Sequence, residues 1–329
     1  MASPHSNSIE AGGLRLQAFT PADAECWDAL VARSVNGTFL HTRRFLSYHG
    51  ERFADRSCML FRADRLCAVF PAALDRTDSA TVVSHPGITY GGMVHDGSMS
   101  GAEAVTAMDA LAAHYGRGGA QRLLYKTVPH IYQQRPAEDD AYALFRLGAK
   151  LVRRDLSCSI DLAGAREPSE RRRRGLRRAQ REGVAVVAGN ACLPAFWQIL
   201  SETLKARHAS APVHSLGEIE LLAGRFPDHI ELLAATVGDR LIAGSVLFKT
   251  PRVSHVQYTA ASDEGRRVCA TDLITEVAIE RAAAEQRRYF DFGISTEQGG
   301  RVLNEGLHQF KAEFGGGGVS YDFYLLELG

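Results

Sequence analysis

Hydrophobic and polar positions change their period at intervals along the chain, and each change predicts a new element of secondary structure. Residues 14–19 alternate with the two-residue period of a half-buried strand, whereas residues 21–34 repeat with the period of a helix. Residues 58–74 predict two strands around a tight turn. Residues 81–94 are apolar but interrupted by proline and three glycines, so we expect an irregular segment that lines a cleft.

The rest of the first half contains an S-x-x-E capping box before a helix, then a strand at 122–128, a helix at 139–147 and a strand at 151–162. The second half begins this order again. Its predicted helices cover 169–182, 194–207, 218–225, 271–286 and about 304–311, and its predicted strands cover 184–188, 231–237, 240–249, 253–262, 289–295 and 319–324. We therefore predict an α/β (α+β) fold with two domains, residues 1–165 and 166–329, each a mixed, mostly antiparallel sheet flanked by helices.

Composition adds bounds on size, partners and location. The chain has 329 residues, 45% of them hydrophobic, which is enough for two cores. Lys plus Arg and Asp plus Glu both number 38, so net charge does not favour nucleic acid or an acidic membrane as a partner. Six cysteines lack a C-x-x-C pair, which predicts reduced thiols. Neither a targeting signal nor a membrane-spanning apolar run is visible, so we expect a soluble, cytoplasmic protein.

The most informative stretch is residues 289–324, where an apolar strand ending in a carboxylate is followed by a polar loop, an amphipathic helix and a closing strand. Ligands of open α/β sheets usually bind beyond the carboxyl ends of the strands. We therefore predict a site around this strand end. Its polar candidates are Ser295, Glu297, Asn304, Glu305 and Lys311.

Asp291 is the first candidate for chemistry because it lies between Phe290 and Phe292 on a strand that should be buried. An unpaired carboxylate in apolar surroundings has a raised pKa, which suits a general base. The alternative is a structural carboxylate whose hydrogen bonds or ion pair hold the following loop. The sequence leaves both readings open.

A second strand and one loop add further polar candidates. With the period of a strand, His255, Gln257 and Thr259 point to one face and Tyr258 to the other, so we expect the polar face to line a cleft. The loop after helix 194–207 adds Arg207, His208 and His214. A histidine there suits a general base near neutral pH, and equally a capping or packing role. No third ligand has metal-site spacing, so we predict no metal.

Five motifs together resemble a known family. They are RRRRGLRRAQREGV, LKARHASAPVHSLGEIELL, HVQYTAAS, YFDFGIS and LNEGLHQFKAEFG. The order of elements resembles the GNAT acyltransferase fold, and its duplication resembles the Fem-type family of tandem GNAT domains. The second half is similar to the BioF2-like acetyltransferase domain. The resemblance thus implies two tandem GNAT-like domains, the second one carrying the activity.

The resemblance implies transfer of an acyl group, most simply acetyl, from acetyl-CoA or another acyl-CoA to a primary amine, by direct attack with help from a general base. A small-molecule or sugar-linked amine of surface-polysaccharide synthesis is the acceptor that the family context implies. A second hypothesis is a Fem-like transferase that uses aminoacyl-tRNA and a peptidoglycan or peptide acceptor, and only this hypothesis requires a nucleic acid. A third is a non-catalytic binding protein of the same fold. The sequence does not indicate an oligomeric state.

In GNAT domains a Q/R-x-x-G-x-G/A turn binds the pyrophosphate of coenzyme A through its N–H groups. The matching residues here run from Arg266 to Ala270, with Cys269 where glycine is preferred, a departure that favours the non-catalytic hypothesis. The predicted helix at Thr271 adds a positive dipole end for a phosphate. The resemblance therefore implies donor binding by Arg266, Arg267, Ala270 and Thr271.

The residues and the resemblance together give the predicted site. Its catalytic residues are Asp291, His214 and Glu305. Its substrate-binding residues are Arg207, His208, His255, Gln257, Tyr258, Ser295, Asn304 and Lys311. The arginine-rich run at residues 171–181 has two readings, a solvated helix face or a phosphate contact for coenzyme A, a nucleotide sugar, a lipid diphosphate or transfer RNA.

Overall fold

The computed structural model describes residues 9–208 and 210–329, except for the side chains of Arg207 and His208. The chain forms two compact units. The first comprises Met1–Asp155, Gly299–Arg301 and Ser320–Gly329, and the second comprises Leu156–Gln298 and Val302–Val319. The change of unit at Asp155 lies inside a strand, whereas the predicted domain boundary follows residue 165. That boundary stays a prediction.

The first unit contains short strands and two longer helices, α1 and α3. Its strands are β1 (Ile9–Ala11), β2 (Leu14–Ala18), β3 (Cys58–Arg62), β4 (Arg65–Phe70), β5 (Ala73–Leu74), β6 (Thr81–Val83), β7 (Val94–His95) and β8 (Arg122–Lys126). Its helices are α1 (Ala24–Arg33), α2 (Arg43–Leu46), α3 (Gly101–Arg117) and α4 (Asp139–Arg146). Its 3-10 turns are Pro21–Asp23, Phe39–His41, Ser47–Arg52 and His130–Tyr132. β9 (Lys150–Asp161) has residues in both units.

In the first unit, β1-β2-β3-β4-β7 form one sheet, and β6 pairs in parallel with β8. The predicted capping box of α3 is confirmed, since Ser100 and Glu103 satisfy each other's backbone N–H groups. Met108, Leu111 and Tyr115 recur at helical spacing and are buried in the core of this unit. This unit therefore owes its core to the hydrophobic period of α3.

The second unit has longer strands. They are β10 (Ala185–Ala188), β11 (Ile230–Val237), β12 (Arg240–Lys249), β13 (Val253–Ala261), β14 (Tyr289–Ile294), β15 (Thr296–Glu297) and β16 (Val302–Leu303). Its helices are α5 (Glu170–Arg181), α6 (Leu193–His208), α7 (Leu216–Arg225), α8 (Asp263–Arg267), α9 (Ala270–Ala284) and α10 (Glu305–Ala312), with a 3-10 turn at Asn190–Cys192. The last strand, β17 (Gly317–Glu327), has residues in both units.

The main sheet of the second unit has the strand order β10-β11-β12-β13-β14-β9. Neighbours are antiparallel except for β13 and β14, which are parallel. Apolar residues of α5, α9 and α10 pack against one face. On β12, Gly244 leaves room for α6, because a Cβ there would lie 2.4 Å from a ring carbon of Phe196. The sheets and flanking helices agree with the predicted fold class.

The start of α10 is marked by a capping residue. Asn304 precedes the helix as its N-cap, and its side-chain oxygen accepts the Leu307 N–H over 3.0 Å. The predicted start at about residue 304 agrees with this cap, and the first helical residue is Glu305. The short helix α8 has no counterpart in the prediction.

Candidate active site

The sheet of the second unit opens where β13 and β14 separate. The two strands pair at three positions, of which His255–Asp291 is the last. Beyond this pair, β13 continues with β12 and β14 with β9. We call this point the fork and define it by His255 and Asp291. The fork lies at the carboxyl end of the stretch over which the two parallel strands pair, the side of an α/β sheet on which ligands usually bind.

Asp291 is fully buried at the fork, and both of its carboxylate oxygens have partners. Ser157 and Ser159 donate their hydroxyls to Oδ1 over 2.5 and 2.6 Å, and Nδ1 of His255 lies 2.7 Å from Oδ2. Burial raises the pKa of Asp291, but His255 and the two hydroxyls outweigh it and hold that pKa well below its usual range. Asp291 is therefore an ionised, paired carboxylate.

An ionised carboxylate with so low a pKa does not take up a proton at neutral pH. Asp291 instead accepts the Nδ1–H of His255, which makes Nε2 the ring nitrogen without a proton. Gly293 follows with φ +76°, and a Cβ there would lie 3.3 Å from Cε1 of His255. A larger residue at this position would be strained and would press on the imidazole. The backbone therefore fits closely around the pair.

A β-bulge in β13 changes which side chains share a face. Gln257 is skipped in the pairing of β13 with β12, as the extra residue of a bulge is. The alternation shifts there, so Tyr258 lies on the same face as His255 and Thr259 on the opposite one. The predicted row of His255, Gln257 and Thr259 on one face is therefore wrong, because a bulge leaves no mark in the alternation of residue types.

Tyr258 and His214 form a second polar pair on this face. The Tyr258 hydroxyl lies 2.6 Å from Nδ1 of His214 and accepts the His214 backbone N–H over 3.2 Å. The ring of Trp197 on α6 meets Tyr258 edge to face, with centroids 5.2 Å apart. Burial raises the pKa of Tyr258, so its hydroxyl stays neutral. The structure thus brings two predicted site residues, distant in sequence, into contact.

Lys311 and Ser295 lie at the end of β14. Lys311 is buried, and its Nζ donates to the carbonyls of Gly293 and Ile294 over 2.8 and 2.7 Å. Burial lowers the pKa of Lys311 to about 8, and the charge of Asp291 opposes this fall. The hydroxyl of Ser295 is buried and has no hydrogen-bond partner among the described residues. An orphaned hydroxyl of this kind indicates a ligand or a water.

Glu305 and Asn304 occupy the exposed start of α10. The amide of Asn304 donates to Glu297 over 2.9 Å while its oxygen caps the helix. Glu305 is exposed as the first helical residue. Lys311 bonds two backbone carbonyls rather than Glu305, so it does not fix this carboxylate at the fork. Its catalytic role stays a prediction.

The turn between β13 and α9 contains α8. The guanidinium of Arg266 bonds the carbonyl of Ala261 and the carboxylate of Asp263. Arg266 therefore holds the turn itself, whereas Arg267 is exposed. Of the two predicted arginine contacts to the donor, Arg267 is the one whose side chain is presented to solvent.

Cys269 ends this turn as the N-cap of α9, with φ +60°. This left-handed conformation is where glycine is preferred, and another residue there costs about 1 kcal/mol. Cys269 thus keeps the backbone shape that the family's glycine provides. Ala270 and Thr271 supply the first backbone N–H groups of α9. The first N–H groups of any α-helix have no hydrogen-bond acceptor within the helix. These N–H groups and the adjacent Arg267 fit a pyrophosphate.

The arginine-rich run forms α5, and its members have different environments. Arg172 is buried and bonds Asp272 over 2.8 Å and Glu313 over 3.0 Å. The other arginines of the run are exposed. They are Arg171, Arg173, Arg174, Arg177, Arg178 and Arg181. Arg207 and His208 were predicted to bind substrate, and their side chains lie outside the described part of the chain.

Sequence reasoning missed three residues of this site. Ser157 and Ser159 point to the same face of β9 as each other, and their spacing of two was the available signal. Arg172 was hidden within a run of identical residues. Only the packing of α5 distinguishes it from its neighbours.

The described residues contain neither a cluster of metal ligands nor a helix that could cross a membrane. No group of three or more His, Cys, Asp or Glu in residues 9–208 and 210–329 is placed to hold a metal ion. Within the same residues, no helix has the length and apolar character needed to cross a membrane.

Comparison with known folds supports the assignment of the sheet and its fork. FemX has 12% identity and a TM-score of 0.66, covering 93% of this chain and 96% of its own. L-PGS from Bacillus licheniformis has 11% identity and a TM-score of 0.62, covering 93% and 91%. A conserved protein of unknown function from Bacteroides thetaiotaomicron has 11% identity and a TM-score of 0.59, covering 95% and 99%. At such identities the likeness shows the fold alone.

Sequence comparison is more specific in the second half. No curated protein sequence matches the chain. Residues 166–311 match the family model described as acetyltransferase (GNAT) domain. This range contains the fork, the turn before α9 and Lys311. The predicted GNAT relationship is confirmed for residues 166–311, so this part of the chain is a GNAT acyltransferase domain. The likeness to FemX shows that the chain shares its fold.

Proposed function

We propose that this acyltransferase moves an acyl group, most simply acetyl, from acyl-coenzyme A to a primary amine, with His255 as general base and Asp291 as the residue that positions it. The observation that carries the proposal is the 2.7 Å contact between His255 and Asp291 at the fork. A histidine held by a buried, ionised carboxylate can take a proton from an amine and bear the positive charge that follows.

Direct transfer requires no covalent enzyme intermediate. The amine nitrogen forms its bond to the thioester carbonyl carbon, the C–S bond breaks, and Nε2 of His255 accepts the proton that the nitrogen loses. The thiolate that leaves takes up a proton in turn. Gln257, which the pairing of β13 with β12 skips, is the candidate donor to the developing oxyanion through its backbone N–H.

The polar groups beside the fork support a hydroxylated amine, such as an amino sugar, as the acceptor. The Ser295 hydroxyl has no partner among the described residues, and Tyr258 and His214 form a polar pair on the face of His255. A hydroxyl-bearing ligand can satisfy the Ser295 hydroxyl, whereas an apolar amine would leave it unpaired. With the family context of the motifs, this supports a role in cytoplasmic surface-polysaccharide synthesis. His214 is the alternative base for the same reaction.

Isothermal titration calorimetry with acetyl-coenzyme A tests the donor. We expect binding in the micromolar range, because the N–H groups before α9 and Arg267 are suited to the pyrophosphate. Adenosine, which lacks the phosphates, serves as the control and should bind much more weakly. Absence of heat with acetyl-coenzyme A, coenzyme A and longer acyl forms would refute the donor assignment.

The exposed arginines of α5 favour one second candidate, a Fem-like transferase that uses aminoacyl-tRNA. Phosphate contacts release counterions, so binding of tRNA would weaken steeply with salt. For four arginine contacts the slope of log affinity against log salt would be about −3, at about −0.7 per contact for a single strand. A gel shift across a salt series measures this slope, and a flat or absent shift removes the second candidate.

A further inference from the structure

Helix α5 is fixed tightly against the first turn of α9. Gly175 permits the approach, because a Cβ there would lie 2.5 Å from Oδ1 of Asp272. Arg172 fastens it with buried ion pairs to Asp272 over 2.8 Å and to Glu313 over 3.0 Å. Removing one partner of a buried pair is strongly destabilising. The position of α5 beside the turn is therefore a fixed feature of the second unit.

The exposed face of α5 carries a cluster of positive charge. Arg174, Arg177, Arg178 and Arg181 recur at helical spacing and, with Gln180, line an open depression of about 620 Å³. Arg177 forms an exposed ion pair with Glu170 over 2.5 Å. Exposed pairs of this kind contribute little. The cluster is thus held together at a cost in mutual repulsion, which an anion would relieve.

This cluster adjoins the turn that is suited to the pyrophosphate. Burial and the charge of Asp272 raise the pKa of the Cys269 thiol, and the guanidinium of Arg178 opposes the rise. The packing places them together as well, because Ala179, which follows Arg178 on α5, is buried in the same apolar cluster as Val268 and Ala270 of the turn. If a ligand places one phosphate group at the N-terminus of α9, the arginine cluster is close enough to bind a second phosphate group of the same ligand.

Acyl-coenzyme A carries phosphate at two separate places, the pyrophosphate and the 3′-phosphate of its ribose. A guanidinium binds a phosphate monoester through two parallel hydrogen bonds. We propose that Arg178, with Arg174 and Arg181, binds the 3′-phosphate of the acyl-coenzyme A donor, so that α5 selects coenzyme A over its dephosphorylated form. This inference rests on the proposed function and names the residues that determine its specificity for the donor.

The test compares acetyl-coenzyme A with 3′-dephospho-acetyl-coenzyme A by isothermal titration calorimetry on the full chain. Wild-type protein should bind the dephosphorylated donor about 10- to 100-fold more weakly, because hydrogen bonds to a charged group are lost. Arg178→Gln should bind acetyl-coenzyme A about 10-fold more weakly and the dephosphorylated donor nearly as wild type does. Arg173→Gln is the matched control, since Arg173 is an exposed arginine of α5 outside the depression and should leave both affinities unchanged.

The outcomes separate this inference from the proposed function. Equal wild-type affinity for the two donors overturns the inference and leaves the acyl-coenzyme A donor in place. No binding of either donor overturns the donor itself. Loss of affinity for both donors by the same factor in Arg178→Gln also overturns the inference, because the residue then does not contact the 3′-phosphate. Salt-sensitive RNA binding that Arg178→Gln abolishes, together with equal donor affinities, assigns the cluster to a nucleic acid instead.

Discussion

Replacing Asp291 by asparagine is expected to lower kcat for acyl transfer by about 10²- to 10⁴-fold. The amide lacks the charge that stabilises a protonated His255, and it no longer fixes the Nδ1–H tautomer. The affinity for acetyl-coenzyme A should change little, because Asp291 is fully buried and has its contacts with His255, Ser157 and Ser159. Steady-state kinetics and calorimetric titration of the same preparation measure the two effects.

Ser159→Ala is the matched control for this variant. It removes one of the hydrogen bonds to Oδ1 of Asp291 and keeps the charge and the bond to His255. This hydrogen bond to the carboxylate is present in both the ground state and the transition state, so kcat should fall by no more than about 5-fold. Wild-type turnover in Asp291→Asn would refute the positioning role. Retained turnover in His255→Gln would move the base to another residue, of which His214 is the first candidate.

Lys311 should give the second unit a stability that rises with pH. The pKa of Lys311 is lowered from 10.5 to about 8 in the folded protein. Between these values the unfolded chain binds more protons than the folded one, so the free energy of unfolding increases with pH. The full cost of the buried ammonium is present below pH 8 and is relieved by about pH 10.5, a gain of about 3 kcal/mol.

Denaturant unfolding of wild-type protein and Lys311→Met is measured from about pH 7 to about pH 11, a range that includes both pKa values. The gain is the change with pH in the difference between their free energies of unfolding. Subtracting the two curves removes the other groups that titrate in the same range. Lys205→Met, at an exposed lysine of α6, should follow wild type throughout. A wild-type minus Lys311→Met difference that stays constant across the range would contradict a depressed pKa for Lys311.

The elements of the second unit could be predicted from the sequence because each has its own period of hydrophobic positions. The burial of Asp291 could also be predicted from its flanking phenylalanines, although the strand continues past it to Ile294. Its pairing could not, because the contact of His255 with Asp291 depends on the register of two strands separated by the helix α9. Such a register is fixed by packing, which the alternation of residue types does not encode.

The bulge at Gln257 illustrates the same limit at smaller scale. One skipped residue exchanges the faces of everything after it, so Tyr258 joins His255 although the alternation places them on opposite sides. Cys269 departs in residue type from the glycine of the family pattern, yet it adopts the left-handed backbone conformation that favours glycine. Residue identity alone did not reveal that conformation.

The buried position of Arg172 means that the two faces of α5 have different roles: the inner face packs against the protein and the outer face carries the charge. The inner face consists of Arg172, Gly175 and Ala179. Arg172 pairs with Asp272, Gly175 leaves room for that carboxylate, and the methyl group of Ala179 is fully buried. The charged residues of the outer face are open to replacement without loss of the fold. A substitution scan along α5 should therefore show the period of a helix. Thermal stability should fall at every third or fourth position, and ligand affinity should fall at the positions between them.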